Sequence, residues 1–355
     1  MKHSKYKNQK GFSMVELLVV MGILLIVLSS VFSLMRATIV TAHANYQMTD
    51  ANQNLRIAHE FLTRDLLSAG DGVKDDSSIL LPPAFVTKYL TTDPNTTVDP
   101  NVGRTSIGMI ISDNDLQTNT QAHHSVSPTY LKERTDRISI LENDTLFIPI
   151  DIPKGSTDFL TGRVTVPGGT SDFAVGEIYY LTAGGTATFG TITSIDSGTN
   201  SIYFGSGDIY GLNRSAFIDN FSIVTVKDTQ AVVLKRVKII QYFVDTNDRL
   251  IRRTFGVKGK GIDDNIIAEH IPNLQFNYIL KPASSDDTKI FDKPVSQVAL
   301  SQQSLIRLVE PSIVAETANF LQDGEKYQVE GKVQLSIRNI QFLDVADVTT
   351  TTTTN

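Results

Sequence analysis

The chain contains no cysteine, so disulfides, thiolate metal sites and cysteine nucleophiles are excluded together. That absence does not fix the compartment, because an exported domain of this size folds without covalent staples. Acidic residues are missing from the first eleven positions, where Lys2, Lys5, Lys7 and Lys10 stand. The remainder carries 28 basic against 38 acidic residues, about −10 within an overall formal charge of −6. An acidic body argues against nonspecific binding to nucleic acid or anionic lipid. Hydrophobic residues fill 41% of the 355 positions, with 17 Phe and 11 Tyr. That is ample for a buried core and excludes a disordered tail. The length suits one large domain or two modest ones.

Charge is also missing from Leu17 to Met35, nineteen residues reading LLVVMGILLIVLSSVFSLM. About 20 apolar residues at 1.5 Å each cross a ~30 Å hydrocarbon core. A cleaved secretory signal would have a shorter apolar run followed by a small-x-small site. No such site follows; the run passes into Arg36 and then polar residues at helical spacing. The lysines before the run place its N-terminus in the cytoplasm and the rest of the chain outside. Glu16 does not fit a plain anchor. It stands at the start of the run behind Phe12, Met14 and Val15, and an unpaired ionisable group there costs a few kcal/mol, which marks it as a functional candidate.

Lys10-Gly11-Phe12-Ser13-Met14-Val15-Glu16-Leu17-Leu18-Val19-Val20 closely resembles the class III signal of type IV prepilins. The resemblance implies that prepilin peptidase, a membrane aspartic protease, cuts after Gly11 and N-methylates Phe12. Glu16 then becomes the fifth mature residue. Gly11 offers the protease a backbone free of side chain. The cut lies on the cytoplasmic side, so the apolar helix is kept, and it creates a cationic amine near Glu16. A neighbouring helix can bring its own amine against Glu16, neutralising both charges in a low dielectric and favouring one axial stagger between subunits. One departure from the family is that many major pilins bend this helix at a proline, where this chain has Ser29, Ser30 and Ser33.

Beyond the run, Leu55, Ala58, Leu62, Leu66 and Ala69 recur at spacings of three and four, which predicts a helix. Gly70-Asp71-Gly72 supplies its stop. Phe12 to Ala69 as one helix would span about 87 Å. Residues 82–105 read as loop from their proline and asparagine content. Strands are predicted at Ile107–Ser112, Ile138–Ile150, Glu177–Ala183, Thr186–Ile195, Phe221–Lys227 and Val232–Val244. Further strands follow at Arg249–Phe255, Leu274–Leu280 and Lys332–Phe342, the first joined to its predecessor by a turn at Asp245–Asp248. Thr349–Thr354 is a low-complexity tail expected to be disordered.

Several segments resemble the PilW-type minor pilins and the related J-type pseudopilins of type II secretion. They are Leu62-Thr63-Arg64-Asp65-Leu66, Asn143-Asp144-Thr145-Leu146, Phe173-Ala174-Val175-Gly176-Glu177, the Tyr242–Arg252 hairpin, Ala268–Tyr278 and Ser336-Ile337-Arg338-Asn339. The expected fold is α+β: a long N-terminal helix packed on a β-rich head with antiparallel sheets. Expected boundaries are a leader over 1–11, a transmembrane segment over 12–35 and a periplasmic helix half over 36–70. The head would fill 71–348, with Gly162–Ile195 a candidate inserted β-module, and the tail 349–355. The resemblance implies a structural subunit of the inner membrane, later at a pilus tip or the cell surface. Its partners would be prepilin peptidase, other minor and major pilins and an inner-membrane assembly platform. The alternatives are a pseudopilin of type II secretion and an adhesin displayed at a tip.

Enzyme motifs fail on inspection, and no cofactor or metal is expected. His59-Glu60 opens a zinc-protease helix signature, but Thr63 stands where the second histidine belongs. That pair reads as an exposed helix face. Gly205-Ser206-Gly207 with Gly211 lies among strands and reads as turns. Gly259-Lys260-Gly261 lacks the hydroxyl residue of a phosphate loop, and no G-x-S-x-G elbow exists. Neither Asp71, Asp75 and Asp76 nor Asp113-Asn114-Asp115 matches a defined calcium loop. Lys235, Arg236, Lys238, Arg249, Arg252, Arg253, Lys258 and Lys260 cluster on one predicted hairpin. Its usual meaning is a solvated sheet face; contact with DNA or an acidic partner is the sharper alternative.

Overall fold

The computed structural model describes residues 13–70, 79–82, 85–91, 105–107, 109–122, 129–158, 161–183, 186–213, 231–280, 294–298, 303, 305–322 and 324–337. The lysine-rich leader, Gly11, Phe12, the carboxylates at 71–76, the Phe221–Lys227 strand and the threonine tail lie outside these residues. The architecture is α+β, one long N-terminal helix followed by a β-rich domain of antiparallel sheets. Two compact units result, Met1–Asp50 with Thr317–Tyr327, and Ala51–Glu316 with Gln328–Asn355. The helix, Met14–Leu67, contributes to both over its 54 residues.

In the first unit, every side chain from Ser13 to Ile39 is exposed. Among the described residues no protein core covers this part of the helix. Ser29, Ser30 and Ser33 do not break it. Ser30 Oγ donates to the Ile26 carbonyl at 3.0 Å and Thr38 Oγ1 to Leu34 O at 2.9 Å, so the hydroxyls are satisfied within the helix. Further along, buried Gln47 places Nε2 2.8 Å from His43 Nε2. Thr317–Tyr327 closes on itself through Thr317 N–H to Tyr327 O at 2.9 Å.

In the second unit the helical periodicity finds its core. Leu55, Ala58, Leu62 and Leu66 are buried with Ile138, Ile240 and Tyr242 of one sheet and Phe276, Ile306 and Ile313 of another. Full burial of each leucine is worth about 1.5–3 kcal/mol. Gly70 then turns the chain at φ 75°, a conformation that glycine adopts without strain, and its N–H donates to Leu141 O at 2.8 Å.

The larger sheet is organised by Val232–Val244, thirteen residues long. Its first half pairs with Ile178–Ala183 and Ile150–Ile152, and its second half with Arg137–Asn143 and Leu250–Val257. Gly261–Ala268 and Thr186–Thr191 form two further strands beyond these, and Ile110–Asp113 pairs with Arg137–Asn143. The second sheet sets Ile306–Glu316 between Asn273–Leu280 and Gln328–Lys332, with Leu335–Ser336 continuing the outer edge. A third joins Thr157–Asp158, Arg163–Thr165, Ser201–Tyr203 and Ser194–Asp196. Residues 162–195 are therefore shared between the first sheet and the third.

Some predicted strands divide. Ile138–Ile150 ends at Asn143, because Asp144 makes a turn: its Oδ1 accepts the Leu146 N–H at 3.2 Å and its carbonyl the Phe147 N–H at 2.9 Å. Thr186–Ile195 breaks after Thr191, and Ser194–Asp196 joins the third sheet. Ile107–Ser112 is two strands, Thr105–Ile107 and Ile110–Asp113, in different sheets.

The strand Leu250–Val257 is bulged at Gly256, with φ 85°. A methyl group there would sit 3.0 Å from Val237 O and 3.4 Å from Ile178 N, both backbone atoms that cannot swing aside. Gly256 N–H also donates to Tyr210 Oη at 3.0 Å, and Tyr210 Oη donates to Gly176 O at 3.1 Å. Gly256→Ala is expected to lower stability by about 2 kcal/mol. Urea unfolding of the full chain in detergent checks this, and an unchanged midpoint would show that the bulge tolerates a side chain.

Candidate functional site

The candidate site is the start of the helix. Of its three predicted residues, Gly11 and Phe12 lie outside the described residues and Glu16 lies in the first helical turn. Ser13 immediately precedes the helix, whose first amide groups have no partner of their own. Ser13 Oγ accepts the Val15 N–H at 3.3 Å, and Glu16 Oε2 accepts the Ser13 N–H at 3.2 Å. This reciprocal arrangement is a variant of the capping box, a hydroxyl residue followed three positions later by glutamate, with the hydroxyl taking the second helical amide instead of the third. The negative carboxylate also opposes the positive end of the helix dipole. Glu16 thus has a structural role within its own chain, which the spacing Ser13-x-x-Glu16 could have signalled and which was not anticipated. Directly behind it begins the exposed apolar surface, with Leu17, Leu18, Val19 and Val20 each more than half exposed. Among the described residues this is the one helix long and apolar enough to cross a membrane.

Residues 6–32 match the Prokaryotic N-terminal methylation motif. The motif is a type IV pilin-like signal and supports a type IV pilin-like or pseudopilin subunit, a structural component in character rather than an enzyme. It implies processing by prepilin peptidase and association with other pilins. The apolar stretch of this helix, exposed up to Ile39, is consistent with membrane anchoring of such a subunit. The match ends at Phe32, inside that helix, and does not reach the β-rich domain. Comparison with curated proteins and with solved structures finds no match.

The chain's other candidates resolve into internal structure. Of the eight cations on the predicted basic hairpin, six meet carboxylates. Arg236 contacts Asp144 at 2.8 Å and Glu177 at 3.0 Å, and Lys238 contacts Asp144 at 3.3 Å. Arg249 meets Asp245 at 2.6 Å, Arg252 meets Asp65 at 2.5 Å, Arg253 meets Asp264 at 2.6 Å and Lys260 meets Asp263 at 3.1 Å. The hairpin is thus not a free cationic face, since carboxylates both near and distant in sequence pair with six of its cations. Burial raises the Asp144 carboxyl, but Lys238 and Arg236 outweigh it and hold the group below its ordinary range. A trough of about 660 Å³ lies over this network, lined also by Lys258, Asp263, Leu146 and Ile148.

Glycine-rich turns are likewise occupied by their own chain. Asp208 accepts the N–H groups of Tyr210, Leu212 and Asn213 at 2.9–3.2 Å, so the loop after Gly205 wraps a carboxylate of its own. Asp113, considered for calcium, is bonded by Arg137 Nη2 at 2.7 Å. Among the described residues no group of three or more His, Asp or Glu is placed to hold a metal. His59 corrects an expectation: it does not lie on an exposed face but is half-buried against Gly331, while Glu60 is exposed.

Proposed function

We propose that this chain is a minor pilin-like subunit, inserted once in the inner membrane, cut after Gly11, methylated at Phe12 and assembled through Glu16. It primes or caps a type IV pilus. The observation that carries this reading is a methylation motif over residues 6–32 running without break into an exposed apolar helix. Residues 1–11 form the cytoplasmic leader, 12–35 the membrane span, 36–70 the periplasmic part of the helix and 71–348 the head.

Removal of the leader frees a cationic amine on Phe12. In a bundle of such helices the amine of one subunit meets Glu16 of another. Two charges that are costly alone in hydrocarbon become a neutral pair, and the pair fixes stagger. The size of the β-rich part favours a minor position, because a bulky head is hard to repeat along closely packed helices and easy to carry at a tip. An assembly platform in the inner membrane would supply the extraction step. A pseudopilin of type II secretion would use the same chemistry. Deleting the gene and scoring piliation separately from protein secretion divides the two.

Mass spectrometry of the purified protein's N-terminus tests the reading directly. N-methylated Phe12 is the expected product. An intact Met1, or cleavage beyond the apolar run, would overturn it.

A further inference from the structure

In the second unit the helix meets the edge strand Gln328–Lys332 through an imidazole and a glycine. A methyl group at Gly331 would overlap His59 Nε2 and come within 3.2 Å of Leu55 Cδ1. A side chain at position 331 would require the His59 ring to move aside. Neither ring nitrogen of the half-buried His59 finds a hydrogen-bond partner of good geometry among the described residues. A cleft of about 580 Å³ runs beside the ring, lined by Glu60, Thr63, Arg64, Leu67, Lys332 and Val333, so water can enter if the contact loosens.

The charged surroundings do not favour a cationic ring. On the helix, Arg56 stands one turn before His59 and Thr63 one turn after it, on the same side. Arg64 and Lys332 line the cleft. Glu60 also lines it, but as the next residue it points about 100° away around the helix. On the strand, Glu330 is held by Lys332 at 2.7 Å and by Ser312 at 2.7 Å.

We propose that His59 is an acid-sensitive latch, in which a proton added to the imidazole releases the edge strand Gln328–Lys332 from the helix. Burial lowers the ring's pKa from its ordinary 6.5, and the Gly331 backbone offsets only part of that. The released form therefore takes up a proton more readily than the docked form, and docking weakens as pH falls below 6.5. The opening constant rises by up to about ten-fold per pH unit until the lowered pKa is reached, then levels off. A global melt would blur this. Asp136, raised to about 6 chiefly by burial, binds its proton more tightly in the folded domain and stabilises it on acidification.

The test is local. Amide exchange of residues 328–332 is compared in the full chain in detergent at about pH 7.5 and about pH 5, corrected for intrinsic rates, with Asn273–Leu280 as the internal reference. Protection of 328–332 is expected to fall several-fold relative to the reference, and His59→Gln, neutral throughout, to remove that difference. An equal fall in His59→Gln, or none in the native chain, overturns the latch. Should His59→Gln fail to fold, an NMR titration of the native ring decides. A midpoint below 6.5 shared with the Gly331 and Lys332 amides supports the latch; a midpoint at or above 6.5, or unmoved amides, overturns it.

Discussion

Glu16→Leu is expected to be cut and methylated normally, yet to fall about a hundred-fold or more in sheared filaments. The expectation follows from the proposed pairing. Leaving a neighbour's amine without its carboxylate in a low-dielectric bundle costs about 3 kcal/mol or more, and every 1.4 kcal/mol is about ten-fold in an equilibrium. The geometry adds a second role that must be separated from the first. Glu16 Oε2 caps the helix by accepting the Ser13 N–H at 3.2 Å, and leucine removes cap and charge together. Loss of a cap alone costs about 1 kcal/mol. Glu16→Gln discriminates, because its amide oxygen can still accept that N–H while its charge is gone. Assembly lost in both variants supports the pairing. Assembly retained by Glu16→Gln would leave Glu16 as a helix cap and remove charge pairing from the mechanism. Filament recovery, quantified against the membrane-bound pool, reads both outcomes.

The long helix and the antiparallel β-rich part were legible because both rest on local periodicity. Leu55, Ala58, Leu62 and Leu66 repeat on one face and are buried on that face. What escaped depended on residues whose meaning is set elsewhere in the chain. Gly261–Ala268 was missed because Asp263, Asp264 and Asn265 are poor strand formers. It lies at the outer end of the sheet, where acidic residues guard an open edge, with one of them paired to Arg253. Ile306–Glu316 was missed because Pro311 argues against a central strand. Yet Pro311 lies opposite the gap between Gln328–Lys332 and Leu335–Ser336, with its carbonyl accepting Val333 N–H at 3.4 Å. Its nitrogen faces the same side as that carbonyl, so the absent donor falls where pairing is already interrupted. The basic hairpin was legible as a list of cations, but its neutralising partners were not, since Asp65 meets Arg252 across 187 positions. At the candidate site, Ser13 and Glu16 were both in view; the capping box went unread because the methylation motif had already given Glu16 a different role.

The same long-range logic makes Asp113 and Arg137 the most sensitive charge pair in the described core. They face each other across the Ile110–Asp113 and Arg137–Asn143 strands, with Arg137 Nε and Nη2 donating to Asp113 Oδ2 at 3.1 and 2.7 Å. Their side chains are only 2% and 1% exposed, so solvent cannot take over if either is lost. Asp113→Ala is therefore expected to destabilise the domain by about 3–5 kcal/mol, because it leaves a guanidinium buried without its carboxylate. Replacing both, as Asp113→Leu with Arg137→Met, removes charge and partner together and should cost markedly less than the single change. Asp136 offers an independent readout. Burial is the main cause of its raised pKa, but Asp113 adds repulsion, so in the Asp113→Ala chain its titration should move downward from about 6. Urea unfolding of the full chain in detergent, with carboxyl titration by NMR, measures both. A single-variant cost below about 1 kcal/mol would mean that water reaches Arg137, and the core drawn around this pair would then be wrong.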